Sequence, residues 1–375
     1  MTKFSSSEPL AVLIGTIIGA GIFSLPYVAF KTGFGITVFY VLVLSILTIV
    51  VHQLLAEVSR GTQKIHRLPG YTEEYLGKNW RNFSLIISSL ELIGTLLAYL
   101  ILGGGFLQSY FTSYFGGSTI FYVLIYFVVG SFLIYLGIKS IAKTEIVMFA
   151  FFILILFLFF FYGAPALNFQ NLLTFQPQNF LWPYGPILFS LWGLTLVPEI
   201  KEMVAGNRQK LRRVISAGII FCALYYLLFI FIILGVSGNQ TSADALSGFG
   251  KIVGSQVIRL GFIFGFFATF TSFITLGLTF KKILQYDLKL PEKFSWVITC
   301  FSPLILYLLG IKNFLNVISL TGAVLLGLEA IIVILIYKNF LKKKFQQKAP
   351  FWLYPLAGFF LLGLILQIIS PWIFQ

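Results

Sequence analysis

Apolar residues run in long windows at about 9–30, 34–56, 84–108, 119–138, 144–165, 184–203, 212–236, 254–280, 295–310, 313–337 and 351–374, separated by short polar segments. A helix needs about 20 apolar residues to cross a hydrocarbon core. Each window therefore reads as one membrane span, giving eleven. The intervening polar stretches leave no room for a soluble domain. Residues 1–375 are expected to form a single transmembrane domain, all-α and polytopic. Composition removes the water-soluble alternative: 58% of residues are hydrophobic and 10% charged, against about 25% charged in soluble domains.

The net charge of +14 first suggests an acidic partner, but its distribution gives it another meaning. With the amino terminus in the cytoplasm, Lys3, the loop with Arg60, Lys64, Arg67, Lys78 and Arg81, and Lys139 with Lys143 all lie inside. So do the groups from Lys201 to Arg213, from Lys281 to Lys293 and from Lys338 to Lys348. Together they hold 22 of the 26 basic residues. Only Lys31, Lys251, Arg259 and Lys312 fall on or toward the other side. The excess is thus an orientation signal in a cell membrane, with the carboxyl terminus outside, lipid as the surrounding partner and no nucleic acid. Met1–Ser7 shows no cleavable leader pattern. Cys222 and Cys300 lie in apolar runs and suggest neither a disulfide nor a metal site.

Two spans carry interruptions. The first reads Gly15-Thr-Ile-Ile-Gly19-Ala-Gly21-Ile-Phe-Ser-Leu-Pro26, and the sixth Phe189-Ser-Leu-Trp192-Gly193-Leu-Thr-Leu-Val-Pro198-Glu199. In both, a glycine precedes a proline by five positions. Within a helix glycine costs about 1 kcal/mol and proline about 3 kcal/mol, and backbone groups freed in lipid need partners. Helices 1 and 6 are therefore expected to be discontinuous. An offset of five spans inverts the direction of travel, so residues of about 8–165 and 184–337 are expected to form inverted repeats, with 351–374 an added helix. Matched interruptions in the two halves point to the site of a secondary transporter.

The Gly15–Pro26 stretch, the loop Lys31-Thr-Gly33-Phe34 and Val197-Pro198-Glu199 resemble the tryptophan/tyrosine permease family of aromatic amino acid permeases, within the amino acid/polyamine/organocation superfamily. The resemblance covers the chain in topology and is most specific in spans one, six and eight. It implies the leucine-transporter (LeuT) fold, with a 5+5 inverted repeat plus an eleventh helix, and import of a neutral or aromatic amino acid. Trp192 departs from many relatives, which carry a smaller residue there. A zwitterion would find its carboxylate donors in the amides of Gly19, Ala20, Gly21 and Ile22, at the positive end of a half-helix. Carbonyls at Phe189, Ser190 and Leu191, beside Gly193, would accept the ammonium, and Phe23, Tyr99 and Trp192 would wall the side chain.

In span eight Ala268, Ser272, Thr275 and Thr279 share one helix face. Such a stripe serves equally for helix packing. By resemblance, Ala268, Thr271 and Ser272 would form a Na⁺ site completed by carbonyls of Gly15 and Ile18. Coupling to H⁺ is the alternative, resting on the intramembrane carboxylates Glu91, Glu199 and Glu329 as relays. Glu199 reads equally as a partner of Lys201, and His52 as a buried structural residue. No covalent cofactor is expected. Two histidines and no GxxxxGK[ST] loop argue against a membrane enzyme or an ATP-driven pump. A non-transporting amino acid sensor on the same fold stays open, as do the coupling ion, the particular amino acid and the oligomeric state.

Overall fold

Glycine and asparagine punctuate the chain where the apolar windows end. The computed structural model describes residues 8–63, 66–137 and 141–373. Lys3, Lys64, Lys139 and the last residues of the eleventh window, from position 374 on, lie outside them. The helices are α1 (Glu8–Ile17), α2 (Gly21–Thr32), α3 (Phe34–Gly61), α4 (Leu68–Leu76), α5 (Lys78–Phe115), α6 (Thr119–Leu136) and α7 (Ile141–Gly163). After three short 3₁₀ turns follow α8 (Tyr184–Leu191), α9 (Val197–Met203), α10 (Arg208–Ser237), α11 (Leu246–Val253), α12 (Ser255–Tyr286) and α13 (Glu292–Leu308). Then come α14 (Phe314–Leu320), a π-helical turn at Thr321–Leu326, α15 (Gly327–Phe345) and α16 (Leu353–Ile373).

Seven of these elements are long and apolar enough to cross a membrane alone, and α1 with α2, bent by 51°, makes an eighth. The expected spans six, nine and eleven fall on α8 with α9, on α13 and on α16. Gly33 separates α2 from α3 at φ 103°, a conformation that favours glycine. Asn207 and Asn313 open α10 and α14 by accepting the amides of Lys210 at 2.9 Å and Asn316 at 3.1 Å, the usual service of an N-cap.

The long helices α5 and α12 pack against each other. Against them Phe23, Phe106, Phe229 and Phe264 form an aromatic core, with Phe23 and Phe106 centroids 4.8 Å apart. The periphery is apolar as well. Phe121, Leu124, Val128 and Phe132 stand exposed on α6, as do Ile220, Leu224 and Leu228 on α10. Rows this wide suit a hydrocarbon solvent rather than water.

Ion pairs gather at the Lys/Arg-rich end: Arg67–Glu199 at 2.9 Å, Arg208–Glu57 at 2.8 Å, Arg81–Glu73 at 3.2 Å and Lys281–Glu292 at 2.8 Å. Beside them, burial pushes the Asp287 carboxyl above its ordinary range, while Arg67 and Arg81 pull it back. Between α3 and α5, helix α4 packs on α5 and α15, Tyr71 donates to Ser59 Oγ at 2.7 Å, and the Tyr75 and Thr62 hydroxyls lie 2.8 Å apart. At the opposite end, the Gly238–Lys251 stretch folds into a short 3₁₀ turn and most of α11, with Leu246 and Phe249 buried.

The π turn of span ten meets α8 through glycines, because a Cβ on Gly322 would come within 2.8 Å of the Gly185 carbonyl carbon. Gly322→Ala must displace backbone, and overpacking of this kind costs about 1–3 kcal/mol. We expect its thermal midpoint in detergent to fall, while that of Gly35→Ala, whose Cβ meets nothing within 4 Å and which removes a glycine from a helix, holds or rises.

Candidate functional site

The first interruption spans Ile18 to Ala20. The Ile18 amide still reaches Ile14 O at 2.8 Å, but the Gly19 amide turns back to Ile17 O at 2.9 Å, and the helix restarts at Gly21. No side chain caps α2, so its first amides keep the polarity of an open helix start. The two prolines play different parts. Pro26 lies inside α2, five residues beyond the restart, whereas Pro198 sits in the first turn of α9, where a missing amide costs nothing.

In the second interruption α8 ends at Leu191, Trp192 is extended, and a 3₁₀ turn over Leu194–Leu196 leads into α9. The Trp192 amide bonds Phe189 O at 3.3 Å. The Gly193 amide donates to His52 Nε2 at 3.1 Å, and the other ring nitrogen, Nδ1, lies 2.8 Å from Thr48 O. That pairing gives the neutral imidazole one role on each side: Nδ1 donates and Nε2 accepts. His52 is thus the partner that the freed Gly193 amide requires.

The interruptions cross at their glycines. A Cβ on Gly21 would lie 2.8 Å from Ser190 Cα, and a Cβ on Gly193 would lie 2.8 Å from Ile17 Cγ1. Each glycine admits the last turn of the opposing half-helix: a side chain at Gly21 would press on the Ser190 backbone, and one at Gly193 on the Ile17 side chain. Tyr226 of α10 holds the same two residues, its hydroxyl 3.0 Å from Ile17 O and 2.7 Å from Ser190 O. A phenol has one proton for these two carbonyls, so it shares that proton or alternates between them.

Around the crossing lies a cavity of about 20 Å³, lined among others by Thr16, Ile17, Gly21, Glu91, Tyr99 and Trp192. Of the expected binding residues, Gly21, Tyr99, Phe189, Trp192 and Gly193 face it. Gly19 lies beneath Tyr99, whose hydroxyl would be 2.6 Å from a Cβ there. Ala20, Ile22 and Leu191 are fully buried. Phe23 belongs to the aromatic core instead, enclosed by Phe106, Phe229 and Phe264, so it does not wall this cavity.

The three carboxylates separate. Glu91 of α5 accepts from Thr95 Oγ1 at 3.1 Å, and its Oε2 is buried with no partner. Glu329 of α15 accepts from Ser88 Oγ at 2.6 Å and from Trp192 Nε1 at 3.2 Å. Glu199 leaves the group: it pairs with Arg67 at the Lys/Arg-rich end, whereas the Lys201 ammonium donates to Ser59 O. On α12, Ala268 and Ser272 are fully buried and Thr271 nearly so. Thr271 Oγ1 donates to Phe267 O at 3.1 Å, while Ser272 Oγ has no partner. The helix α1 that carries Gly15, with Ile18 just beyond it, packs against α12.

Tyr226 is the residue that the sequence reading missed. Its signal was present in a Tyr225-Tyr226 pair midway along an apolar span, since a buried phenol needs a hydrogen-bond partner. Removing the hydroxyl with Tyr226→Phe leaves the Ser190 carbonyl short of its donor, at about 1–3 kcal/mol for a buried group left unsatisfied, while Ile17 O keeps the Gly19 amide. We expect a lower thermal midpoint for the purified variant, and an unchanged midpoint would count against the bridge.

Among known proteins, the chain is 27% identical to the tyrosine-specific transport system 1 of Haemophilus influenzae over 300 residues, 74% of this chain and 72% of that protein. It is 23% identical to glutamine transporter 2 of Aliivibrio fischeri over 90% of this chain and 89% of that one. Among solved structures it resembles Mhp1, a nucleobase-cation-symport-1 family transporter in a closed conformation with bromovinylhydantoin bound. The TM-score is 0.70 at 13% identity, covering 97% of this chain and 90% of the other. It also resembles MhsT in complex with L-phenylalanine, with a TM-score of 0.62 at 15% identity over 98% of each chain. These likenesses establish the LeuT-type architecture. The model of the tryptophan/tyrosine permease family matches residues 4–373, and the chain belongs to that family of transporters.

Proposed function

We propose that this chain imports a neutral or aromatic amino acid by cation symport, with alternating access around the two interruptions. The crossing at Gly21 and Gly193 carries the reading, because it sets an uncapped helix start beside a cavity without any basic side chain in its lining. Amides of Ala20, Gly21 and Ile22 bind the substrate carboxylate. Tyr99, Trp192 and Phe189 meet its side chain. Relatives named for tyrosine and glutamine transport support an amino acid as cargo.

A volume of about 20 Å³ holds roughly one water. Trp192 and Tyr99 must therefore move aside as substrate enters. The interruptions lie five spans apart in oppositely directed helices, which supports an inverted relation between residues of about 8–165 and 184–337, with α16 added. The coupling ion is Na⁺, held by Gly15 and Ile18 carbonyls with Ala268, Thr271 and Ser272. The unpartnered Ser272 hydroxyl on a helix packed against α1 favours this reading. The amino terminus and the Lys/Arg-rich end face the cytoplasm.

Proteoliposomes with an imposed Na⁺ gradient, and separately an H⁺ gradient, should accumulate labelled tyrosine, phenylalanine, tryptophan or glutamine. Absence of accumulation under both gradients would sink the reading for this panel. Ser272→Ala should weaken Na⁺ activation several-fold, and equal activation in the variant would remove Ser272 from the ion site. For orientation, a cysteine at Lys348 in a Cys222→Ser, Cys300→Ser background should react with an impermeant thiol reagent only after cells are opened. A cysteine at Lys251 should react in intact cells. The reverse pattern would invert the topology.

A further inference from the structure

A zwitterion needs an acceptor for its ammonium as well as donors for its carboxylate, and span-six carbonyls are largely spoken for. Phe189 O holds the Trp192 amide at 3.3 Å, and Ser190 O holds the Tyr226 hydroxyl at 2.7 Å. Ile17 O, on the other side of the crossing, holds both the Gly19 amide and Tyr226. Glu91 differs from all of these. Its Oε1 takes the Thr95 hydroxyl, but Oε2 is buried without a partner, and the residue lines the same cavity as Gly21.

We propose that Glu91 is the acceptor for the substrate's ammonium group, which makes it the residue that restricts transport to molecules with a free α-amine. The inference rests on the amino acid reading given above. Two poles then border one small cavity: the uncapped start of α2 at Gly21 on one wall and Glu91 on another. Their polarity matches a zwitterion and opposes a simple carboxylate, which would meet Glu91 without a cation between them.

Neighbouring groups are already engaged elsewhere. Glu329 of α15 has its own oxygens satisfied by Ser88 and Trp192. His52 of α3 uses one ring nitrogen toward Thr48 and the other toward Gly193, leaving none for the cavity. Tyr99 is the other titratable group in the lining. No lysine or arginine faces the cavity among its described lining residues, so an arriving ammonium is the first cation that Glu91 meets there. Trp192, tied to Glu329 and in edge contact with His52 at 5.2 Å, keeps span six beside this pole.

Binding to wild type, Glu91→Gln and Glu91→Asp in lipid nanodiscs would test the assignment. The probes are L-tyrosine, L-phenylalanine, L-tryptophan and L-glutamine, each paired with its analogue lacking the α-amine. A hydrogen bond to a charged group is worth roughly ten- to a hundredfold in affinity. Glu91→Gln should lose about that much for the amino acid that binds wild type, and should bind the deaminated analogue as well as wild type or better. Glu91→Asp, which keeps the charge, should retain the preference for the amine.

Equal loss for amino acid and analogue in Glu91→Gln would assign the residue a structural part and overturn the proposal. Unchanged amino acid affinity would overturn it too, including the case where counterflow exchange persists but accumulation driven by an H⁺ gradient is lost, which would make Glu91 a proton carrier. Failure of wild type to bind any amino acid of the panel would instead overturn the amino acid reading on which the proposal stands.

Discussion

Everything at this site depends on two helices that stop and restart in the same place. Lipid offers no hydrogen bonds, so a chain that leaves its helix within the membrane must find each freed amide and carbonyl a partner inside the protein. The partners come from other spans: His52 for the Gly193 amide, and Tyr226 for the carbonyls of Ile17 and Ser190. The glycines then do sterically what the hydrogen bonds do electrostatically. Gly21 receives Ser190 and Gly193 receives Ile17, so the residues clasped by Tyr226 are the same ones that press into the opposing glycines. One hydroxyl shared between two carbonyls is a light fastening, suited to parts that have to separate.

That arrangement bears on how access could alternate. The cavity at the crossing is nearly closed, and packed interiors move between discrete arrangements rather than swelling gradually. On the side of the Lys/Arg-rich end, Thr195 borders both this cavity and a second small one lined by Ser88 and Glu329. Arg67 and Pro198 in turn border that second one and the wider vestibule beyond. Arg67 is bonded to Glu199 on α9, so the fastening nearest this route joins α9 to the residue preceding α4. This pair is partly open to water, where ion pairs contribute little to stability, about 0–1 kcal/mol, which lets them open and close at small cost.

The carboxylates show why position outweighs residue type. Glu91, Glu199 and Glu329 looked alike as acids within apolar windows. In three dimensions Glu199 pairs with an arginine through one oxygen at the Lys/Arg-rich end, Glu329 is a fully bonded anchor for Trp192, and Glu91 is a half-bonded group lining the cavity at the crossing. Phe23 separates from Tyr99 and Trp192 in the same way: all three are aromatics near an interruption, but only the latter two reach the cavity.

The linear chain determined what depends on local composition. Apolar windows of membrane length set the class, basic loops supplied the orientation argument, and glycines 19, 21 and 193 marked where helices could not continue, because hydropathy, charge and backbone propensity act residue by residue. The matched glycine–proline spacing pointed to the two interruptions without distinguishing the prolines, of which only Pro198 begins a helix. Tertiary structure decided which partners answer the freed backbone groups. His52, Tyr226 and Glu91 lie on three other spans, far along the chain from the groups they meet or face, and a polar tip in an apolar run declares that it needs a partner without saying which one. Only the packing of α3, α5 and α10 around the crossing supplies that answer.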